Sequence, residues 1–189
     1  RSAKALEMRR RIGDKRSVAV SLSNIGNIEK DRGLFDEAES CYREAMQLRK
    51  QVGDRFGYVI SLNNLGALAF DRGDLQQARD SWEDALTEAE HIGATPLQVV
   101  LLNNIGETAC QMGKLADARQ LIERALTLAT EMEDQRAKTE ILRNLARLES
   151  KEGNHIAARN LASDCLELAK KCQMKEMVGR ALQTLGEIY

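Results

Sequence analysis

The stretch from Ser61 to Ala89, SLNNLGALAFDRGDLQQARDSWEDALTEA, decides the fold. Leu62, Leu65, Gly66 and Ala69 fall at i, i+3, i+4 and i+7, one stripe of an α-helix. Ala78, Trp82, Ala85, Leu86 and Ala89 form a second stripe of the same kind. Gly73 lies between the two and suits a tight turn where a helix ends. The unit is therefore helix, short turn, helix, with small residues where two helices must come close.

The unit recurs. Steps of 40 residues from Gly66 reach Gly26, Gly106, Ala146 and Gly186. The same steps from Gly73 reach Gly33, Gly113 and Gly153, and from Ala78 they reach Ala38, Ala118 and Ala158. From Ala85 they reach Ala5, Ala45, Ala125 and, breaking the pattern, Cys165. One period shared without insertion is the mark of a solenoid, in which a unit buries its apolar face only by stacking on its neighbours. Four whole repeats are expected over residues 14–53, 54–93, 94–133 and 134–173, with half repeats at 1–13 and 174–189, in one continuous array.

These residues resemble the tetratricopeptide repeat family. Leu62, Leu65-Gly66, Gly73, Ala78, Trp82 and Ala85 match its pattern, as do Leu22, Ile25-Gly26, Gly33, Ala38, Tyr42 and Ala45. The third repeat matches with Ile122 at the aromatic place; the fourth is the most degenerate, with Leu142, Leu145, Ala146, Gly153, Ala158, Ala162 and Cys165. The resemblance implies an all-α fold, a right-handed α-solenoid of antiparallel helix pairs. The commonest unit of this family has about 34 residues. The longer spacing, with SLNNLG-like helices, looks more like kinesin light chains, Pins-type polarity scaffolds and bacterial regulator arrays.

First helices are expected near 15–31, 55–71, 96–111 and 135–151, and second helices near 35–52, 75–92, 115–132 and 155–172. Asp14, Asp54 and Asp134 stand where N-caps belong. In the third repeat Thr95-Pro96 would supply a capping hydroxyl and then proline at the first helical position. Arg9–Arg11, Arg49-Lys50 and Lys170-Lys171 close second helices, where cations complement the helix dipole. Lys4–Ile12 reads as a second helix lacking its first, and Lys175–Tyr189 as a first helix lacking its second. That favours a piece of a longer array over natural capping helices.

Composition narrows the function. Of 189 residues 4% are aromatic, which a core of Leu, Ile and Ala accounts for. Charged residues make up 30%, for a formal net charge of -1. That balance gives no sign of a nucleic-acid or membrane partner. Arg9–Arg11 with Lys15-Arg16 carries no interleaved aromatic and reads as helix-end chemistry. No apolar run approaches the roughly 18 residues of a membrane span. Cys165 and Cys172 lie on one helix roughly 10 Å apart, beyond the about 7 Å a disulfide spans. Buried free thiols suit a reducing, cytoplasmic setting.

The chain holds no G-x-S-x-G, H-E-x-x-H, phosphate-loop or dinucleotide motif, and no C-x-x-C. His91 ends a helix, and His155 takes the place held by Phe35, Leu75 and Leu115. No enzyme, cofactor or metal site is expected. What remains is a surface. The resemblance implies that places around the Leu-Gly pair look inward at a protein or peptide ligand. The inward residues expected to bind are Asn24 and Asn27, Asn63 and Asn64, then Asn103, Asn104 and Glu107, then Arg143, Asn144 and Arg147. Asn24, Asn64, Asn104 and Asn144 form a ladder whose amides both donate and accept. Two readings stay open for it: contact with a peptide backbone, or bridging between repeats. Arg143 and Arg147, at i and i+4, form a cationic pair suited to an acidic side chain. Phe70 reads as packing. The carboxylate clamp of chaperone-binding members is not expected, because Val20, Ile60, Val100, Ser23, Asn63 and Asn103 occupy its places. The truncated ends would leave apolar faces for self-association. A regulatory array within a larger signalling protein is the alternative to a scaffold.

Overall fold

One turn design, used throughout, sets the repeat. In the computed structural model, which describes residues 13–188, every described residue outside the turns is helical. The helices are α1 (Lys15–Asp31), α2 (Phe35–Gln51), α3 (Arg55–Asp71), α4 (Leu75–His91), α5 (Thr95–Gln111), α6 (Leu115–Glu131), α7 (Gln135–Lys151), α8 (His155–Lys171) and α9 (Lys175–Ile188). Helices α1 to α8 each have 17 residues. Three-residue turns between them return the chain to the same place every forty residues. The helices are therefore longer than a unit of about 34 residues allows. The half repeat expected over 1–13, including Ala5, Leu6 and Arg9–Arg11, lies outside the described residues except for Gly13, as does Tyr189.

The turn after α2 shows the design. Gly53 sits at φ +68, and its N–H donates to the Lys50 carbonyl at 3.3 Å. The Asp54 N–H donates to the Arg49 carbonyl at 2.9 Å. This pair of bonds closes a helix on a left-handed residue. The Asp54 carboxylate then accepts from the Gly57 N–H at 2.9 Å and caps α3. One aspartate thus ends one helix and starts the next. Asp14 and Asp134 cap α1 and α7 as expected. Asp74 also caps α4, through the Gln77 N–H at 3.1 Å. In the third repeat α5 begins at Thr95, not Pro96, so Thr95 is the first helical residue and Pro96 the second.

The chain divides into two compact units, one ending at Ala94 and one beginning at Thr95. In the first, Val18, Ala19 and Leu22 of α1 pack on Ala45 of α2. Ala38 and Tyr42 of α2 then pack on Leu68 of α3, with Leu65 beside them. In the second, Leu142 of α7, Cys165 of α8 and Ala181 of α9 form a core cluster. The close approaches match in size. A Cβ at Gly26 would lie 2.5 Å from the Tyr42 ring, one at Gly66 2.6 Å from Trp82 Nε1, and one at Gly106 2.5 Å from Ile122 Cγ1. In the fourth repeat Ala146 replaces the glycine, and the residue sixteen places on is only Ala162. Both are buried.

Ion pairs tie a second helix to the end of the first helix that follows it, and the two units carry the same pair with its signs exchanged. Glu39 receives Arg72 at 2.6 Å in the first; Arg119 donates to Glu152 in the second. Arg119 also reaches Glu149 at 2.7 Å, and Asn154 Nδ2 donates to Glu149 at 2.8 Å. Burial alone would raise the Glu149 carboxyl, but the bonds from Arg119 and Asn154 outweigh it and hold the group below its ordinary 4.5. A carboxyl depressed by folding stabilises the protein above its unfolded-state pKa. That stability is lost as pH falls through the lower folded-state value. Glu149→Gln is therefore expected to cost about 1–3 kcal/mol at neutral pH. The gap should close as pH falls to about 3, as read from urea midpoints. A gap independent of pH would contradict it.

All four cysteines are free. Cys110 and Cys165 are buried, and burial pushes both thiols up. Cys41 and Cys172 are only half-buried, so the expectation of buried thiols holds for two of the four. His155 is exposed at the start of α8. Arg49, read as a cation that complements the dipole at the end of α2, is buried, 4% exposed. Among the described residues no helix is long and apolar enough to cross a membrane.

Candidate functional site

The ten candidate residues lie on first helices: Asn24 and Asn27 on α1, Asn63 and Asn64 on α3, Asn103, Asn104 and Glu107 on α5, and Arg143, Asn144 and Arg147 on α7. Small residues behind them hold these helices against the second helices and fix which face stays open.

In the second unit the structure joins most of its candidates into one network. Asn144, 3% exposed, donates through Nδ2 to Asn103 Oδ1 at 3.0 Å and more distantly to Glu107 Oε2 at 3.5 Å. Arg147 Nη1 donates to Glu107 Oε1 at 2.6 Å, and Arg143 stands 3.9 Å from the same carboxylate. Lys151 Nζ donates to the Cys110 carbonyl at 2.9 Å. Two guanidinium groups thus share one carboxylate, with an ammonium one turn on, and the face is left cationic. The arginine pair is present, but Glu107 partly neutralises it. Asn144 is committed to bridging neighbouring repeats. Asn104 contributes its carbonyl to Thr108 Oγ1 at 2.8 Å.

The first unit uses the same register differently, because the side chains are shorter. Ser23 stands where the second unit has Asn103, and its buried Oγ has no hydrogen-bond partner. It is too short to engage Asn64 as Asn103 engages Asn144. Asn27 stands where the second unit has Glu107, opposite Ala67 rather than Arg147. Asn27 Oδ1 accepts instead from the Tyr42 hydroxyl at 2.7 Å. That phenol is pushed up to about 12, by burial first and then by the charges of Asp31 and Asp71. Lys30 pairs with Asp71 at 2.8 Å, in the register that Lys151 and Cys110 occupy in the second unit. The Asn63 carbonyl accepts from Trp82 Nε1 at 3.1 Å. Asn24 is exposed and Asn64 half-buried; neither side chain is bonded to another described residue. Phe70 packs on Trp82, ring centroids 5.8 Å apart.

The sequence reading marked these residues but not their partners. Three of the bridges join residues 41 apart, Lys30–Asp71, Asn103–Asn144 and Cys110–Lys151, whereas Arg147 and Glu107 lie one period of 40 apart. An offset of 41 does not coincide with the period of 40, so these three pairs do not occupy equivalent places. No group of three or more His, Cys, Asp or Glu side chains placed to hold a metal occurs among the described residues.

A model of the tetratricopeptide repeat matches residues 17–90 and 97–171. No curated protein matches the sequence. Among solved structures, BtubC (BKLC) from P. vanneervenii matches 100% of this chain and 80% of its own, with TM-score 0.85 and 19% identity. A Rap protein complexed with competence and sporulation factor matches over 99% of this chain, with TM-score 0.71 and 17% identity. A STAND signal transduction ATPase with a tetratricopeptide repeat sensor, from Pyrococcus horikoshii, matches over 93%, with TM-score 0.77 and 12% identity. The chain spans 57% of that Rap protein and 27% of that ATPase. Repeats, turn design and small-residue contacts agree with these likenesses, and the chain belongs to the tetratricopeptide repeat family.

Proposed function

We propose that this chain is a non-catalytic scaffold whose first-helix faces bind a peptide segment or helix of a protein partner. The observation that carries this reading is the contrast between the units. Asn24 and Asn64 keep amides not bonded to other described side chains, beside an exposed Val20 and Ile28. A peptide backbone laid along that face would find donors and acceptors already in place and apolar surface to cover. A preformed face lowers the ordering cost of binding. On the second unit the excess of cations around Glu107 favours a segment with an acidic side chain. The structural likeness to a Rap protein complexed with competence and sporulation factor is in keeping with a bound partner. The free thiols support a reducing, cytoplasmic setting.

Peptides selected from a displayed random library against the chain would test this. Arg147→Ala is expected to weaken selected acidic peptides about ten-fold, and Asn64→Ala to weaken others by several-fold. Helical circular dichroism should be unchanged. Equal affinity for all three proteins would refute the assignment of these faces.

A second reading is favoured by the lengths of the similar structures, in which such an array is part of a larger chain. The array would then act as a regulatory element against its own parent protein. Binding of a separately produced parent domain, competed by the selected peptides, would identify that case.

A further inference from the structure

Second helices end their packing stripe on alanine: Ala89, Ala129 and Ala169 are all 0% exposed. In α2 this place holds the buried Arg49. Residues of α3 opposite it are altered to match. Where the third and fourth repeats have Leu101 and Ile141, α3 has Ser61; where they have Leu97 and Ala137, it has Gly57. A Cβ at Gly57 would lie 2.8 Å from Arg49 Nε and 2.3 Å from Asp54 Oδ2, so the guanidinium as placed uses space that a side chain at 57 would crowd. One period earlier the same places hold Arg9, Ser17 and Ser21, which keep the arginine and the serine but not the glycine; Arg9 lies outside the described residues. An apolar contact has been exchanged, in register, for a buried cation.

That cation is poorly satisfied. Arg49 Nη1 donates to Ser61 Oγ at 2.7 Å, and its Nε has no partner. No carboxylate forms an ion pair with it among the described residues. Burial pushes the guanidinium down, against a weaker opposing pull from Asp54. A buried charge with so little compensation is costly unless something else supplies the counter-charge.

Arg49 also lines a cleft of about 240 Å³ with Lys50, Asp54, Arg55, Tyr58 and Glu88. Arg55 is held by Glu88 at 2.6 Å, and Asp54 is engaged in capping α3. Lys50 is exposed, Tyr58 is half-buried, and neither side chain bonds to another described residue. Three cations against two carboxylates leave one net positive charge, which suits a monoanion. A planar carboxylate is also the group that a guanidinium fork matches.

We propose that this cleft, formed by the end of α2, the start of α3 and the end of α4, binds a carboxylate group. Arg49 is the anchor, with Lys50 and Tyr58 at the rim. The carboxylate is supplied either by an Asp or Glu side chain of a bound peptide or by a small carboxylic acid. The site is separate from the asparagine-bearing face.

The test is titration of the ¹⁵N-labelled chain at constant ionic strength with acetate, with N-acetyl-Gly-Glu-Gly-amide, with inorganic phosphate and with chloride. The Arg49 Nε–H and the Gly57 and Tyr58 amides are the reporters. Saturable shifts with a carboxylate, at Kd of order 1 mM or below, are expected. Tighter binding of the peptide would identify a peptide source, and equal binding a small acid; both support the site. Arg49→Ala, the residue of the other repeats, should keep the helical dichroism and weaken binding at least about ten-fold. Lys50→Ala, at an exposed position, should weaken it less. Shifts that do not saturate, that chloride reproduces, or that survive Arg49→Ala would overturn the proposal. Tighter binding of phosphate than of either carboxylate would overturn it as well. The wild-type titration decides the matter even if Arg49→Ala fails to fold.

Discussion

Replacing Trp82 by Ala is expected to lower stability by about 3–5 kcal/mol. The indole is 3% exposed. It fills the approach between α3 and α4 directly opposite Gly66, and Phe70 rests on its ring. Three losses coincide on truncation. The buried apolar area is gone, the space cannot collapse because Gly66 has no side chain to enter it, and the Asn63 carbonyl loses the indole N–H it accepts from. Energetics in repeat arrays are close to nearest-neighbour sums, so the damage should be local. Hydrogen exchange should show amides of α3 and α4 losing protection while those of α7 and α8 keep theirs. A change below about 1 kcal/mol in urea unfolding would mean that Trp82 does not hold this helix pair together.

The features that made Trp82 legible in the sequence also mark what was not. Gly26, Gly66 and Gly106 could be read as close approaches because each recurs at one period and each faces a large residue sixteen places on. The caps at Asp14, Asp54 and Asp134 were legible for the same reason. Asp74 was not, since Leu34, Lys114 and Asn154 hold its register elsewhere, and comparison between repeats hides a cap used only once. Periodicity shows which residues are equivalent. It does not show which residues of neighbouring repeats touch.

That limit explains the candidate site. All ten residues were identified by their place on the first helices. Yet the offset of 41 that joins Asn103 to Asn144, and the offset of 33 that joins Glu39 to Arg72, depend on how far one repeat slides past the next. Arg49 was missed for a different reason. A cation in the last turn of a helix has an ordinary electrostatic explanation, which masks its burial. Ala89, Ala129 and Ala169 carry the signal: a place that is alanine in the second, third and fourth repeats is a buried place, whatever charge stands there in the first.

The same comparison yields an effect whose sign should reverse. In a helix, alanine is favoured over glycine by about 1 kcal/mol. Gly66→Ala should nonetheless destabilise by about 1–3 kcal/mol, because its Cβ would lie 2.6 Å from Trp82 Nε1 and 2.7 Å from Trp82 Cδ1. The indole, wedged against Phe70 and tied to the Asn63 carbonyl, has little room to move. Once Trp82 is Ala the obstacle is gone, and the intrinsic preference should take over. Gly66→Ala in that background should then stabilise by up to about 1 kcal/mol. The two substitutions should therefore couple by about 1–4 kcal/mol in a double-mutant cycle. The fourth repeat already contains the product of that cycle. Ala146 faces Ala162, both buried, and the helix pair forms around them. Gly186 gives the opposite control: among the described residues no atom beyond its own helix backbone and chain neighbours lies within 4 Å of its Cβ position, so Gly186→Ala should be neutral or stabilising. Additive losses from Gly66→Ala and Trp82→Ala would show that the two do not meet, and that glycine at this register serves the backbone of α3 rather than its partner.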